Sequence, residues 1–137
     1  MTVGFFSPLP PARTGVADYS AALLAGLQRR AGVAVSVDDA RAGALLYHIG
    51  NNGLHGAIYR QALARPGVVV LHDAVLHHLL LGLLREEEYL EEFEYNYGAW
   101  TRDFALQLWR DRACSAADNR YFEHPLLRRL AERARAV

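Results

Sequence analysis

VGFFSPLPPARTGVADYS, running from Val3 to Ser20, is the stretch whose reading decides the fold. A short apolar run (Val3, Phe5, Phe6) stops at a loop in which Pro8, Pro10 and Pro11 fix φ and hold the backbone extended. The loop reaches Gly15, and a helical pattern begins at once. Strand, glycine-bearing loop, helix N-terminus is the geometry that turns backbone N–H groups and a positive dipole end toward an anion. Gly15 supplies either a φ > 0 turn or room for a ligand to approach. Asp18, in the first helical turn, complements the helix dipole.

Outward from this stretch, strands and helices alternate. Val3–Phe6 reads as the first strand. Val16 to about Arg30 reads as a helix with Val16, Ser20, Leu23, Leu24 and Leu27 on one face, and Gly32 stops it. Val33–Val37 is a second strand, and Ala44–Ile49 a third that ends in His48, Gly50, Asn51 and Asn52. A short helix follows from His55 to Ala64, broken by Pro66-Gly67. Val68–Leu71 is a continuous β-branched run of the kind found in parallel strands covered on both faces. His72-Asp73 closes that strand, and Ala74–Leu84 reads as an apolar helix. The pattern predicts an α/β, Rossmann-like parallel sheet flanked by helices over residues 1–84. Residues 85–137 form a mainly helical segment of the same single domain. Ligands on such sheets bind beyond the carboxyl ends of the strands, where Ser7–Gly15, Gly50–His55 and His72–Asp73 converge.

In the second segment Leu90, Phe93, Tyr97, Trp100, Phe104 and Leu108 form one apolar stripe, which Gly98 bends or splits. Glu86, Glu87, Glu88, Glu91, Glu92 and Glu94 read as a solvated opposite face. Ala113–Asn119 reads as a loop, and Pro125 as the start of a last helix through Leu126, Leu127, Leu130 and Ala134.

Composition bounds the function. The 137 residues carry zero net charge, so there is no nucleic-acid footprint, and all fifteen basic residues are arginine. One cysteine, Cys114, excludes an internal disulfide and fits a reducing, cytoplasmic setting. The start MTVGFF has no signal-peptide character, and no apolar run reaches the length of a membrane span. There is no G-x-S-x-G, P-loop or C-x-x-C. His72, Asp73, His77 and His78 are dense enough to raise a metal-dependent phosphohydrolase. HD-type metal pairs, however, sit on helices of all-helical domains, whereas this pair follows a strand. His77 and His78 also lie among leucines, and no metal ligand is assigned.

The wording of these segments is more specific than their pattern. SPLPPARTGVADYS resembles the first loop of family-4 glycosyltransferases, where SPLPP-x-x-[ST]-G-[IV]-A-D-Y-S follows the first strand of the acceptor-side domain. LLYHIGNNGLHGAIYRQALARPGVVVLHDAVLHHLLLG is similar to that family's YxIGN, H-x-x-[IL]-Y and PGVVVLHD-x-x-LHH run. EYNYGAWTRDFALQLW resembles its YCYG…GR-x-LA segment. HPLLRRLAERARAV resembles the helix before a strand that continues as IVHS. The resemblance covers nearly the whole chain and only the first part of such an enzyme. It implies the N-terminal, acceptor-side domain of a retaining GT-B glycosyltransferase. The donor-binding domain, with its E-x7-E motif, is absent from these residues, and the chain alone is expected to be inactive.

The resemblance also carries expectations about residues and partners. His72 would lie near the transferred sugar and position it. Asp73 would orient the imidazole or bond a sugar hydroxyl, unless it only caps the next helix. Thr14, Gly15, Asn51 and His48 would face the substrate or the donor phosphate, although Asn51 also suits a plain turn. The donor is a nucleotide sugar, used as substrate and not as cofactor, and the acceptor a glycan or lipid-linked hydroxyl. Arg128, Arg129, Arg133 and Arg135 would meet anionic headgroups or form a solvated face. A stand-alone Rossmann-like binding or assembly module is the alternative from another class. A cut before the next strand would leave apolar surface on the C-terminal helices, and hence a homodimer through them.

Overall fold

The computed structural model describes all of residues 1–137. Four parallel strands, β1 (Thr2–Phe6), β2 (Ala34–Val37), β3 (Ala44–Ile49) and β4 (Val68–Leu71), form one sheet in the order β2-β1-β3-β4. Helix α1 (Gly15–Gln28) connects β1 to β2, and α2 (Gly56–Ala64) connects β3 to β4. These two crossovers run toward opposite edges of the sheet. Parallel crossovers are right-handed almost without exception, so α1 and α2 lie on opposite faces. The fold is α/β and Rossmann-like, with a helical C-terminal segment.

The period-2 alternation of strands sorts the side chains between those faces. Phe6, Tyr47, Ile49 and Val69 point toward α2 and join the main core. Phe5 and His48 point the other way, 4.9 Å apart between ring centroids, under α1. There Ala17 and Ser20 of α1 are buried, and the Ser20 hydroxyl bonds the Ser7 hydroxyl at 2.6 Å. This face carries one helix, whereas the α2 face carries the whole C-terminal segment.

That segment comprises α3 (His77–Leu83), α4 (Glu86–Tyr97), α5 (Arg102–Asp111), α6 (Asn119–Phe122) and α7 (Arg128–Arg133). Leu90, Phe93, Leu108, Tyr121, Leu126 and Leu130 enclose the core with Leu79 and Leu80 of α3. Each fully buried Leu, Phe or Tyr contributes about 1.5–3 kcal/mol relative to exposure. The phenol of Tyr121 donates to the Leu108 carbonyl at 2.6 Å, so its polar end is satisfied.

Several details differ from the sequence reading. Gly98, at φ +104°, ends α4, and a 3-10 turn over Ala99–Thr101 separates it from α5. The change of direction throws Trp100 out of the expected stripe, leaving it 86% exposed. Glu92 is not on a solvated face: it is buried and bonds Arg129 at 2.5 Å. Arg112–Ala117 is a 3-10 helix, not a loop. Helix α3 begins at His77, three residues later than expected, and the last helix begins at Arg128 because Leu126 takes a left-handed φ of 56°. Strand β4 is the sheet edge and not a doubly covered strand, with Val68 43% exposed. Ala136 makes one parallel bridge to it, accepting from Val69 N–H at 2.9 Å.

The expected uncovered apolar surface is narrower than the stripe, with Trp100 and Phe104 exposed. Leu90, Phe93 and Leu130 are buried within the chain's own core. No helix is long and apolar enough to cross a membrane.

Candidate functional site

The sheet order reverses between β1 and β3, since the chain leaves β1 toward β2 on one side and β3 toward β4 on the other. A crevice at the carboxyl ends of strands forms at such a switch point. The loop after β1, the turn after β3 and the turn after β4 all reach it.

From the first loop comes the N-terminus of α1. Thr14 is its N-cap, its hydroxyl accepting from Ala17 N–H at 3.1 Å. Gly15 is the first helical residue and not a φ > 0 turn. A Cβ built on it meets nothing within 4 Å, so the space above it is open. With Ala17 and Asp18 bonded back to Thr14, the N–H groups of Gly15 and Val16 have no protein acceptor. Both point along the positive end of the dipole. One turn further on, Tyr19 lays its half-exposed ring edge-on to His72, with centroids 5.2 Å apart.

Strand β3 delivers His48 and then Gly50-Asn51. His48 is fully buried, so it does not itself reach a ligand, contrary to expectation. Its Nδ1 lies 2.9 Å from Nε2 of His72, and its Nε2 is buried without a partner. Burial, then the neighbouring His72 and His55, push its pKa down to about 4. The imidazole is therefore neutral at ordinary pH.

Asn51 is spent on structure and does not offer a free amide. Its Oδ1 accepts from Leu79 N–H at 2.9 Å in the first turn of α3, and its Nδ2 donates to His78 Nδ1 at 3.0 Å. His78 in turn donates from Nε2 to the Ser115 carbonyl at 3.2 Å. The C-terminal segment is thus tied to the turn after β3. The Asn51 backbone N–H bonds Asp73 Oδ2 at 2.8 Å.

His72 follows β4 directly, its N–H still laddered to Ile49 O at 2.9 Å. Its ring is half-buried, and Nδ1 has no protein partner yet is not sealed from solvent. Asp73 is exposed and caps no helix, since α3 starts four residues later with Leu76 at its N-cap. The four members of the histidine cluster do not face a common centre. His77 is a core residue, donating from Nδ1 to His124 O and accepting the Tyr89 hydroxyl at Nε2, both at 2.7 Å. Burial lowers its pKa to about 4, against an opposing hydrogen bond to the His124 backbone.

Two residues not singled out from sequence belong to the crevice. Tyr19 was visible only as part of the quoted loop motif. His55 is fully buried, its Nδ1 donating to the His48 carbonyl at 3.0 Å and its Nε2 unpaired. With the proton on Nδ1 and burial disfavouring the charged form, Nε2 is a bare lone pair. That nitrogen and Asp73 Oδ2 crowd Gly50, where a Cβ would stand 2.9 Å and 3.1 Å from them. No side chain but hydrogen fits there.

The crevice is open above Gly15, and the surface cavities lie elsewhere. One of about 240 Å³ sits between Ala42, Arg65 and Arg135, away from the crevice. Another of about 290 Å³ lies between Tyr59, Leu80, Glu92 and Arg129. Of the basic tail, Arg128 pairs with Glu132 at 2.7 Å, Arg129 lies 4.0 Å over the Tyr95 ring, and Arg133 donates to Leu63 O at 2.9 Å. These arginines are folded onto the domain.

No protein-family model matches the chain, and neither a curated protein nor a solved structure does.

Proposed function

We propose that residues 1–137 form the acceptor-side domain of a retaining GT-B glycosyltransferase of family 4, which moves a sugar from a nucleotide sugar to an acceptor hydroxyl. The observation that carries this reading is the meeting of Thr14-Gly15, Gly50-Asn51 and His72-Asp73 at one switch-point crevice. These are the segments whose wording resembles that family.

The chemistry follows from what each wall offers. Departure of a nucleotide builds charge on its phosphate, and preorganised donors stabilise that charge. The unpaired N–H groups of Gly15 and Val16, at the positive end of a 14-residue helix, are such donors. His72 Nδ1 and the free oxygen of Asp73 are placed to hold sugar hydroxyls. The open crevice supplies one wall of a cleft. A second Rossmann-like domain closing over it would exclude water and align donor with acceptor. Residues 1–137 alone then bind nucleotide sugars weakly and transfer nothing. The cytoplasm is the compartment where nucleotide sugars would meet this domain.

The test compares sugar transfer by this chain with transfer by the product of its whole gene. The expected result is no transfer by residues 1–137 and transfer by a longer product with a second Rossmann-like domain. A stop codon directly after Val137 would contradict the reading and favour a stand-alone binding module. The phosphohydrolase alternative draws no support from the geometry, because His72, Asp73, His77 and His78 are bonded to different partners.

A further inference from the structure

We propose that His48 is a positioning residue: it donates its Nδ1 hydrogen to His72 Nε2 and so holds His72 as the Nδ1–H tautomer, with an N–H facing the crevice.

Two arrangements place a single hydrogen between imidazole nitrogens 2.9 Å apart. In one, His72 Nε2–H donates, His48 Nδ1 accepts, and the His48 proton sits on Nε2. In the other, His48 Nδ1–H donates and its Nε2 is a bare lone pair. The two differ in what is left at His48 Nε2, which is buried with no partner. Orphaned buried N–H groups are rarer than under-satisfied acceptors, so the lone pair belongs there. The surroundings agree. His48 packs its ring against Phe5, 4.9 Å between centroids, an apolar neighbour that cannot accept a hydrogen bond conventionally. Its depressed pKa keeps it neutral, so it has one proton to place.

The consequence reaches the crevice through His72. With Nε2 accepting from His48, the His72 proton is on Nδ1, the ring nitrogen with no protein partner. His72 then offers a donor to an oxygen: a sugar hydroxyl, a ring oxygen or a phosphate oxygen. It does not offer a lone pair that could remove a proton from an acceptor hydroxyl. This functional meaning rests on the glycosyltransferase reading; the tautomer itself does not. Tyr19, edge-on to His72 at 5.2 Å, limits how far the ring can turn.

The experiment is long-range proton–nitrogen correlation NMR on the full chain with 15N-labelled histidine, near neutral pH and without any ligand. The expected wild-type spectrum has a protonated, pyrrole-like Nδ1 and a bare, pyridine-like Nε2 on His72. His48→Asn keeps a donor near the place of Nδ1 and keeps that pattern. His48→Leu removes the donor, and His72 shifts to the mixed tautomers of a free imidazole. A wild-type His72 with its proton on Nε2 overturns the proposal whether or not the variants fold. So does a folded His48→Leu protein whose His72 remains purely Nδ1–H. No sugar or nucleotide is present, so failure of the glycosyltransferase reading leaves this result standing, and the reverse also holds.

Discussion

Asp73 Oδ2 accepts the backbone N–H of Asn51 at 2.8 Å, which fastens the turn after β4 to the turn after β3. One carboxylate oxygen is thereby committed to structure, and the other remains for a ligand. Asp73→Asn keeps an acceptor for Asn51 and removes the charge. Unfolding stability should change by less than about 1 kcal/mol, whereas transfer by an active enzyme containing this domain should fall at least tenfold. Urea denaturation beside a transfer assay separates the two effects. A variant with wild-type turnover removes Asp73 from the site.

Gly50 is a second such constraint. Because its Cβ would stand 2.9 Å from His55 Nε2 and 3.1 Å from Asp73 Oδ2, Gly50→Ala must displace one or both. The expected cost is about 1–3 kcal/mol, the usual range for overpacking. Gly53→Ala is the control, since nothing lies within 4 Å of its Cβ. Equal stability of the two variants would show that His55 and Asp73 give way freely.

Acid should destabilise the fold before its carboxylates titrate. His48 and His77 are held neutral, each with a pKa lowered by burial to about 4 from the ordinary 6.5. Between those values the unfolded chain binds protons that the native state does not. Stability is therefore full above pH 6.5 and falls as pH drops toward 4, at up to about 1.4 kcal/mol per pH unit for each histidine. Urea midpoints measured across that window should decline with acidity. His77→Phe, if folded, should flatten the slope without levelling it, because the buried His48 and His55 remain. A level profile from pH 6.5 to 4 would mean that these rings take up protons in the native state as readily as in the unfolded chain.

His72→Ala tests catalysis against folding. The ring is half-buried, so its loss admits water to His48 Nδ1 and costs about 1 kcal/mol. Turnover in the active enzyme should drop about a hundredfold or more, since misplacing a reacting group is far costlier than losing one surface contact. Thermal unfolding and turnover on the same sample decide between the two. A stability loss as large as the catalytic one would make His72 a structural residue.

The strands and first helices were legible because their signals are local. Proline or glycine marks most of the turns, and the β-branched run at Val68–Leu71 admits few other readings. Convergence of the three loops was legible too, because parallel sheets put their loops at one end. The helical segment was not, since its packing depends on partners distant in sequence. Glu92 lies in an acidic run, and its burial draws on the counter-charge of Arg129, thirty-seven residues on, with Asn96 bonding its other oxygen. Trp100 matches a helical spacing that the positive φ of Gly98 interrupts. The positions of His48 and Asn51 beside the crevice were legible, but their hydrogen-bond partners were not. Burial and hydrogen-bond partners assign their roles, and neither is written in a one-dimensional pattern. His55 was legible only as the end of the Gly50–His55 segment, and its buried bond to the His48 carbonyl was not.

The most direct test of the proposed domain is an NMR titration of the 15N-labelled chain with a panel of UDP- and GDP-sugars, which gives both the place and the strength of binding. The account predicts shifts at Gly15, Val16, Asn51, His72 and Asp73 that stay unsaturated below millimolar ligand, weaker than about −4 kcal/mol. Saturation at micromolar ligand, about −8 kcal/mol, or shifts confined to the far end of the sheet around Arg65 and Arg135, would contradict it.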